Sequence, residues 1–342
     1  LSTEDAHGAN TAVGNAALMT LDAGANAYNV AVGYDAGKLM STGTYNTIVG
    51  GLAGDALTTG SNNVALGYQA LSTEDTGGRN IAIGYQALLN QNYDGYAYNV
   101  AMGYSASKEI TTGTLNTIVG GLAGDALTEG NSNVAMGYYA LSAEDTGDRS
   151  VAIGTYALQN QNYDGDANNV AVGYVAGQNI TTGVRNTLVG SIAGDNITVG
   201  RYNVAMGYHA LGDNLLTDYN VAIGYDALRD LVGDGSTVNQ NTYNVAVGAL
   251  AGQAITSGFE NTIMGALAGD ALTTGSGNIA IGYEALSTED EHGTNVAIGK
   301  RALKTLNAGA DAYNVAIGFD AGTNMSTGTH NNLIGGFAGD AL

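Results

Sequence analysis

The 342-residue chain has no proline, no cysteine and no tryptophan, and only ten lysines and arginines. Each absence excludes something. Proline removes a backbone donor and is shut out of interior strands, so its complete lack fits a chain made almost wholly of hydrogen-bonded ladder. Without cysteine there is no disulfide and no thiolate metal site. Ten basic residues against 31 acidic ones set the net charge at −21. That field repels phosphate backbones and anionic membrane faces, so nucleic acid is not an expected partner. No apolar run approaches the roughly 18–20 residues of a membrane span, and membrane insertion is not expected either.

What is present is repetition. The phrase Asn-Val-Ala-Val-Gly-Tyr-x-Ala, or a close relative, occurs 19 times, from Asn10, Asn29 and Asn46 to Asn331. The interval between successive copies is 17 thirteen times, 19 four times and 24 once, the last because the segment 230–242 carries five extra residues. Asn29, Asn99 and Asn169 stand at intervals of 70, as do Asn244 and Asn314. Self-similarity at such periods marks a solenoid. The reading is an all-β, parallel β-solenoid of 19 rungs of about 17 residues, grouped in super-repeats of 70, forming one continuous domain over 1–342. Leu1-Ser-Thr-Glu-Asp repeats at Leu71 and Leu286, and the final Gly-Asp-Ala-Leu repeats Gly54–Leu57, so the chain is expected to be a window onto a longer array. At about 4.8 Å per strand, 19 rungs predict a rod roughly 90 Å long.

In Asn63-Val-Ala-Leu-Gly-Tyr-Gln-Ala-Leu71, alternation sets Val64 and Leu66 on one face and Asn63, Ala65 and Gly67 on the other. The aliphatic face is expected to be the buried one. Glycine closes the phrase in all 19 copies, where it supplies a positive-φ corner, and alanine follows three residues later in all 19. In 13 rungs a second glycine comes ten residues after the first and marks the opposite corner. Each rung is therefore expected to be two short strands and two turns. The leading asparagine, replaced only at Ser150, is expected to form a ladder of stacked amides.

Once in every super-repeat a large residue takes the alanine slot: Ile48, Ile118, Leu188, Ile263 and Leu333. On an otherwise small-residue face that another chain can approach closely, these five are expected to be apolar plugs at an oligomer contact. The alternative is a compensating swap confined to one chain.

No constellation for chemistry stands out. His7, His209, His292 and His330 are too scattered for a metal site, and no nucleophile elbow, HExxH or phosphate loop occurs. The acids recur identically from repeat to repeat, whereas an active site is a single departure from a repeat. Catalysis and cofactors are not expected. Gly50-Gly-Leu-Ala-Gly-Asp55 is similar to the glycine-rich nonapeptide of calcium β-rolls. That makes Asp55, Asp125, Asp195, Asp270 and Asp340 candidate calcium ligands, against the reading that they cap turn amides. Glu4/Asp5, Glu74/Asp75, Glu144/Asp145 and Glu289/Asp290 read as solvated loop acids. Tyr34, Tyr68, Tyr85, Tyr104, Tyr138, Tyr174, Tyr208, Tyr225 and Tyr283 share one slot. They read as lids over the corner, with stacking on sugars as the alternative.

Ser150-Val-Ala-Ile-Gly154 followed by Ala157 resembles the head repeats of trimeric autotransporter adhesins. Asn80–Leu88 and Asn220–Leu228 are similar to repeats of phage tail fibres and related surface proteins. The resemblance covers every rung. It implies a left-handed β-roll, a parallel homotrimer, and display outside the cell, on a cell surface or a virion appendage. The expected function is the non-catalytic structural and adhesive shaft of an extracellular fibre, with a host-surface glycan or receptor as partner. The alternative is a ligand-binding solenoid whose flat face recognises glycan or ice, although no threonine row runs through every rung.

Overall fold

The computed structural model describes residues 8–214, 216–235 and 240–341. Glu4, Asp5 and His7 lie outside the described residues, as does part of the 230–242 insertion. The chain divides into two compact units, Leu1–Asn168 and Asn169–Leu342.

The first unit holds nine three-residue strands: β1 (Thr11–Val13), β2 (Val30–Val32), β3 (Thr47–Val49), β4 (Val64–Leu66), β5 (Ile81–Ile83), β6 (Val100–Met102), β7 (Thr117–Val119), β8 (Val134–Met136) and β9 (Val151–Ile153). Each pairs in parallel with the next in sequence and in strict register, so that Val64, Ala65 and Leu66 face Ile81, Ala82 and Ile83. The second unit repeats this with β10 (Val170–Val172), β11 (Thr187–Val189), β12 (Val204–Met206), β14 (Val221–Ile223) and five further strands from β16 (Val245–Val247) to β20 (Val315–Ile317), then β21 (Asn332–Ile334). Between them β13 (Thr217–Asp218) pairs with β15 (Gln240–Asn241), a small side ladder at the insertion. The fold is a parallel β-solenoid of 19 rungs, and no helix occurs among the described residues.

The faces of the strand are the reverse of the sequence expectation. Ala31, Ala65, Ala82 and Ala101 are completely buried, whereas the flanking Val, Ile, Leu and Met residues are only half-buried or exposed. The reason is room. The interior of the rung also holds a second buried alanine (Ala53, Ala70, Ala87) and, in many rungs, a buried aliphatic from the far side, such as Leu71 or Leu88. Where the far side already supplies a leucine, a strand side chain longer than a methyl overfills so thin an interior. The aliphatic rows therefore point outward.

Ile48, Ile118, Leu188 and Ile263 follow the same inward direction. They are fully buried, and Leu333 in the last rung is half-buried. The oligomer contact expected of these five is therefore corrected: the side chains fill their own rung. Their partner is a glycine at the slot Leu71 occupies in its rung. A Cβ built on Gly54 would stand 3.3 Å from Ile48 Cδ1, one on Gly124 3.4 Å from Ile118 Cδ1, and one on Gly269 3.1 Å from Ile263 Cδ1. The large strand residue fills space left by glycine both in its own rung and in the rung before, where a Cβ on Gly37 would stand 3.1 Å from Ile48 Cδ1, a compensation confined to one chain.

The expectation of two strands per rung is also corrected. The far side is a stack of turns in which alternate residues have positive φ, as at Gly67 (139°), Gln69 (55°) and Leu71 (54°). Its amides bond first to the preceding rung and then to the following one: Gly67 N–H donates to Val49 O and Gln69 N–H to Gly51 O, while Leu71 N–H donates to Ala87 O. The first glycine row is obligatory, since at Gly137 (φ 140°) a Cβ would lie 2.5 Å from Gly154 O. At the second, Gly113 needs no positive φ but approaches the next rung as closely, with a Cβ 2.5 Å from Gly130 O.

The asparagines build the internal seam. In each fully bonded rung Oδ1 accepts the main-chain N–H of the next asparagine, as from Asn46 to Asn63 (2.9 Å) and from Asn116 to Asn133 (2.9 Å). Nδ2 crosses the interior to the second-corner carbonyl, as from Asn46 to Gly60 O (2.9 Å) and from Asn116 to Gly130 O (2.8 Å). Amide-to-amide contact adds to this in some rungs, with Asn116 Nδ2 3.3 Å from Asn99 Oδ1. One side chain thus pins strand to far side and rung to rung, which explains why no other residue type serves so often.

Candidate binding face and acidic corners

Because the aliphatic rows point out, each unit presents an apolar sheet face. In the first unit the strand rows show Val30, Val64, Ile81 and Val100 beside Val49, Leu66, Ile83 and Met102, bordered by tyrosines. Met102 is 39% exposed and Met136 41%, unusual for such side chains repeated down a face. The four outward rows, from the residue before each asparagine to the one after the corner glycine, contain no Asp or Glu between Ala9 and Thr155. Their charges are Arg79 and Arg149 alone. On a chain of net charge −21, that is a marked segregation.

Tyrosines lie on both borders, and sequence reasoning found only one. Past the corner, Tyr68 stacks on Tyr85 (centroids 5.6 Å apart, planes 18° apart) and Tyr85 on Tyr104 (5.2 Å, 6°). Before the asparagine, Tyr28 stacks on Tyr45 (5.5 Å, 9°), and in the second unit Tyr202 on Tyr219 (4.8 Å, 3°). Tyr85 is 42% exposed and Tyr104 58%, so these rings line the outer surface. Arg79 reaches the rings of Tyr96 and Tyr98 and bonds the Tyr98 hydroxyl. The alternating period signalled this second row, but the positive φ of Tyr28, Tyr45 and Tyr98 was not legible.

The acidic turns divide into two kinds. Asp55, Asp125, Asp195 and Asp270 are half-buried, and each keeps one buried oxygen, Oδ1, without a hydrogen-bond partner. Burial raises all four carboxyls above the usual range. Nearby acids add to this (Asp35 for Asp55, Glu109 for Asp125, Asp213 for Asp195, Glu284 for Asp270), while each residue's own main-chain amide offsets part of it. Asp340 is half-buried at the last rung. None of the five belongs to a group of three metal-ligating side chains among the described residues.

Glu74, Glu144 and Glu289 are the second kind, and here the solvated-loop expectation is corrected: all three are completely buried. Their neighbours Asp75, Asp145 and Asp290 cap the following amide, at 2.7, 2.7 and 2.8 Å. Glu74 accepts from Gly77 N (2.7 Å), Gln91 Nε2 (3.2 Å) and Tyr93 N (3.3 Å). Glu144 accepts from Gly147 N (2.9 Å), Gln161 Nε2 (2.8 Å) and Tyr163 N (3.3 Å). Burial pushes both carboxyls up, and these donors hold them back. The glutamine one rung further on is the sequence signal of this burial. Among the other histidines, His209 Nδ1 lies 3.0 Å from Asp226 Oδ1, and His330 packs on the Tyr313 ring (5.3 Å).

No family model, no curated protein and no solved structure matches this chain.

Proposed function

We propose that the chain is the non-catalytic structural and adhesive shaft of an extracellular fibre or filament, and that it self-associates through the acid-free outer face of the sheet. The observation that carries this is charge segregation. A chain of net charge −21 repels its own copies everywhere except where acids are absent, and there it presents aliphatic and aromatic rows. Nine strands at about 4.8 Å and four rows about 7 Å apart give the first unit a face of roughly 40 by 20 Å. That is about 800 Å², the per-partner area of a standard stable interface.

The resemblance to trimeric autotransporter heads and phage tail-fibre repeats favours a parallel homotrimer on a cell surface or virion. Stacking of the tyrosines also bears on the sugar-binding alternative. The rings of Tyr68, Tyr85 and Tyr104, and of Tyr208 and Tyr225, stack along the axis and turn their faces to each other, whereas stacking on a sugar needs a free ring face.

Sedimentation equilibrium tests the reading. The native protein is expected at three times the chain mass, and a Met102→Asp/Met136→Asp variant at the single-chain mass with its circular dichroism unchanged. A native protein that sediments as a monomer at micromolar concentration refutes it.

A further inference from the structure

One corner departs from the repeat that surrounds it. Glu74, Glu144, Asn214 and Glu289 are sequence equivalents, all completely buried. At the first two, the equivalent position one rung on is glutamine and the residue three on is glycine, and the carboxylate is bonded as described above. At Asn214 the partner on the next rung is the buried Leu231, and the acid has become a neutral amide whose Oδ1 accepts from Thr217 N (3.0 Å). At Glu289 the next-rung partner is likewise apolar, Leu306, yet the acid is retained. A buried carboxylate without its donors is costly. The change that accompanies it is His292, where Gly77 and Gly147 stand.

His292 does not simply replace the glutamine. Glu289 Oε2 accepts from Ala308 N at 3.4 Å, and the His292 main-chain amide faces the carboxylate. Glu289 Oε1 and His292 Nδ1 are nevertheless both buried with no hydrogen-bond partner. They lie 3.6 Å apart, too far for a hydrogen bond. Two ligand atoms each about 2.1 Å from a tetrahedral zinc ion stand about 3.4 Å apart. Asp290 completes the set: one donor atom from each of the three residues lies within 4.8 Å of the other two. Asp290 Oδ1 is already engaged with Glu291 N at 2.8 Å, which holds the carboxylate in place.

We propose that Glu289, Asp290 and His292 form a binding site for a zinc-like divalent transition-metal ion. Two carboxylates supply the charge, and the imidazole selects a borderline first-row ion over calcium, which takes six to eight oxygens. Three protein ligands leave a coordination position for water. The ion occupies the place that a glutamine amide fills at Glu74 and Glu144, joining carboxylate and turn where the hydrogen bonds are missing.

The test is titration with zinc chloride alone by isothermal calorimetry. Because Glu4, Asp5 and His7 repeat the same residue types, every protein carries His7→Gly so that only the described corner is read. One zinc ion per chain is expected, with a visible absorption band when cobalt(II) replaces zinc. His292→Gly and Glu289→Gln should each weaken binding at least about tenfold. A His292→Gly/Leu306→Gln variant rebuilds the bonded corner of Glu74, Gly77 and Gln91. It should fold normally and bind no zinc. The proposal is overturned if the native site shows no saturable uptake. It is equally overturned if the rebuilt corner binds zinc as tightly as the native one, which would mean an adventitious ion only.

Discussion

Asn116→Ala isolates the asparagine seam. Asn116 lies within the first unit, fully buried apart from a trace. Its Oδ1 accepts the Asn133 N–H at 2.9 Å, and its Nδ2 donates to Gly130 O at 2.8 Å. Its own N–H donates to Asn99 Oδ1 and survives the change. Truncation therefore orphans two buried main-chain groups, the Asn133 N–H and the Gly130 C=O. Each unsatisfied group costs about 1–3 kcal/mol, which sums to about 2–6 kcal/mol, a large part of the about 5–15 kcal/mol that holds a typical domain. In a solenoid the loss should stay near the damaged rung, so it should also appear locally. Urea unfolding reads the magnitude, and amide hydrogen exchange at Asn133 reads the location. The chain supplies its own control. At Ser150 the hydroxyl is served by Gln161 Nε2 at 2.8 Å, and the residue equivalent to Gln161 in the Asn116 rung is Leu127. Asn116→Ser/Leu127→Gln should thus recover part of what Asn116→Ser loses. A loss below about 1 kcal/mol, or unchanged exchange at Asn133, would refute the claim that the asparagine seam holds the rungs together.

Ile118→Asp should unfold its rung, since the site is interior, and circular dichroism should show lost structure together with any lost mass; a folded Ile118→Asp monomer would restore the plug reading. Gly137→Ala forces a Cβ to within 2.5 Å of the Gly154 carbonyl at a φ of 140°, and should lower the melting temperature by far more than Gly335→Ala, where nothing lies within 4 Å. The pH dependence should run opposite to ordinary acid denaturation. Burial raises Glu74, Glu144, Asp55 and Asp125 above their unfolded values, so the unfolded chain releases these protons first. Their stabilising contribution is complete below the ordinary carboxylate range and is lost as pH rises through the folded values. Melting temperature should therefore fall as pH rises from the ordinary carboxylate range through these raised values, and Glu74→Gln/Glu144→Gln should flatten that slope. A melting temperature that climbs steadily with pH would count against the buried-acid geometry.

The period, the parallel in-register stacking and the corner glycines were legible because each is a demand on the backbone that only certain residues meet. Glycine in all 19 copies reports a positive φ against a neighbouring carbonyl, as at Gly50 and Gly67, and the lack of proline reports an unbroken ladder. The inward and outward faces were not legible. Alternation separates Val64 and Leu66 from Asn63 and Ala65 but is symmetric with respect to inside and outside, and the usual preference for burying the larger apolar residue points the wrong way. The width of the rung decides it. A space that holds two alanine methyls and one leucine has no room for Val64, so asparagine and alanine go in and the aliphatics go out. The same width turns Ile48 into a core residue paired with Gly54. Burial of Glu74 escaped for a related reason: two of its three donors, Gln91 and Tyr93, come from the next rung, and their nearness exists only once the rungs are stacked. Local sequence sets what each rung can be, but which side is the core, and which acids are dry, depends on the distance across the roll.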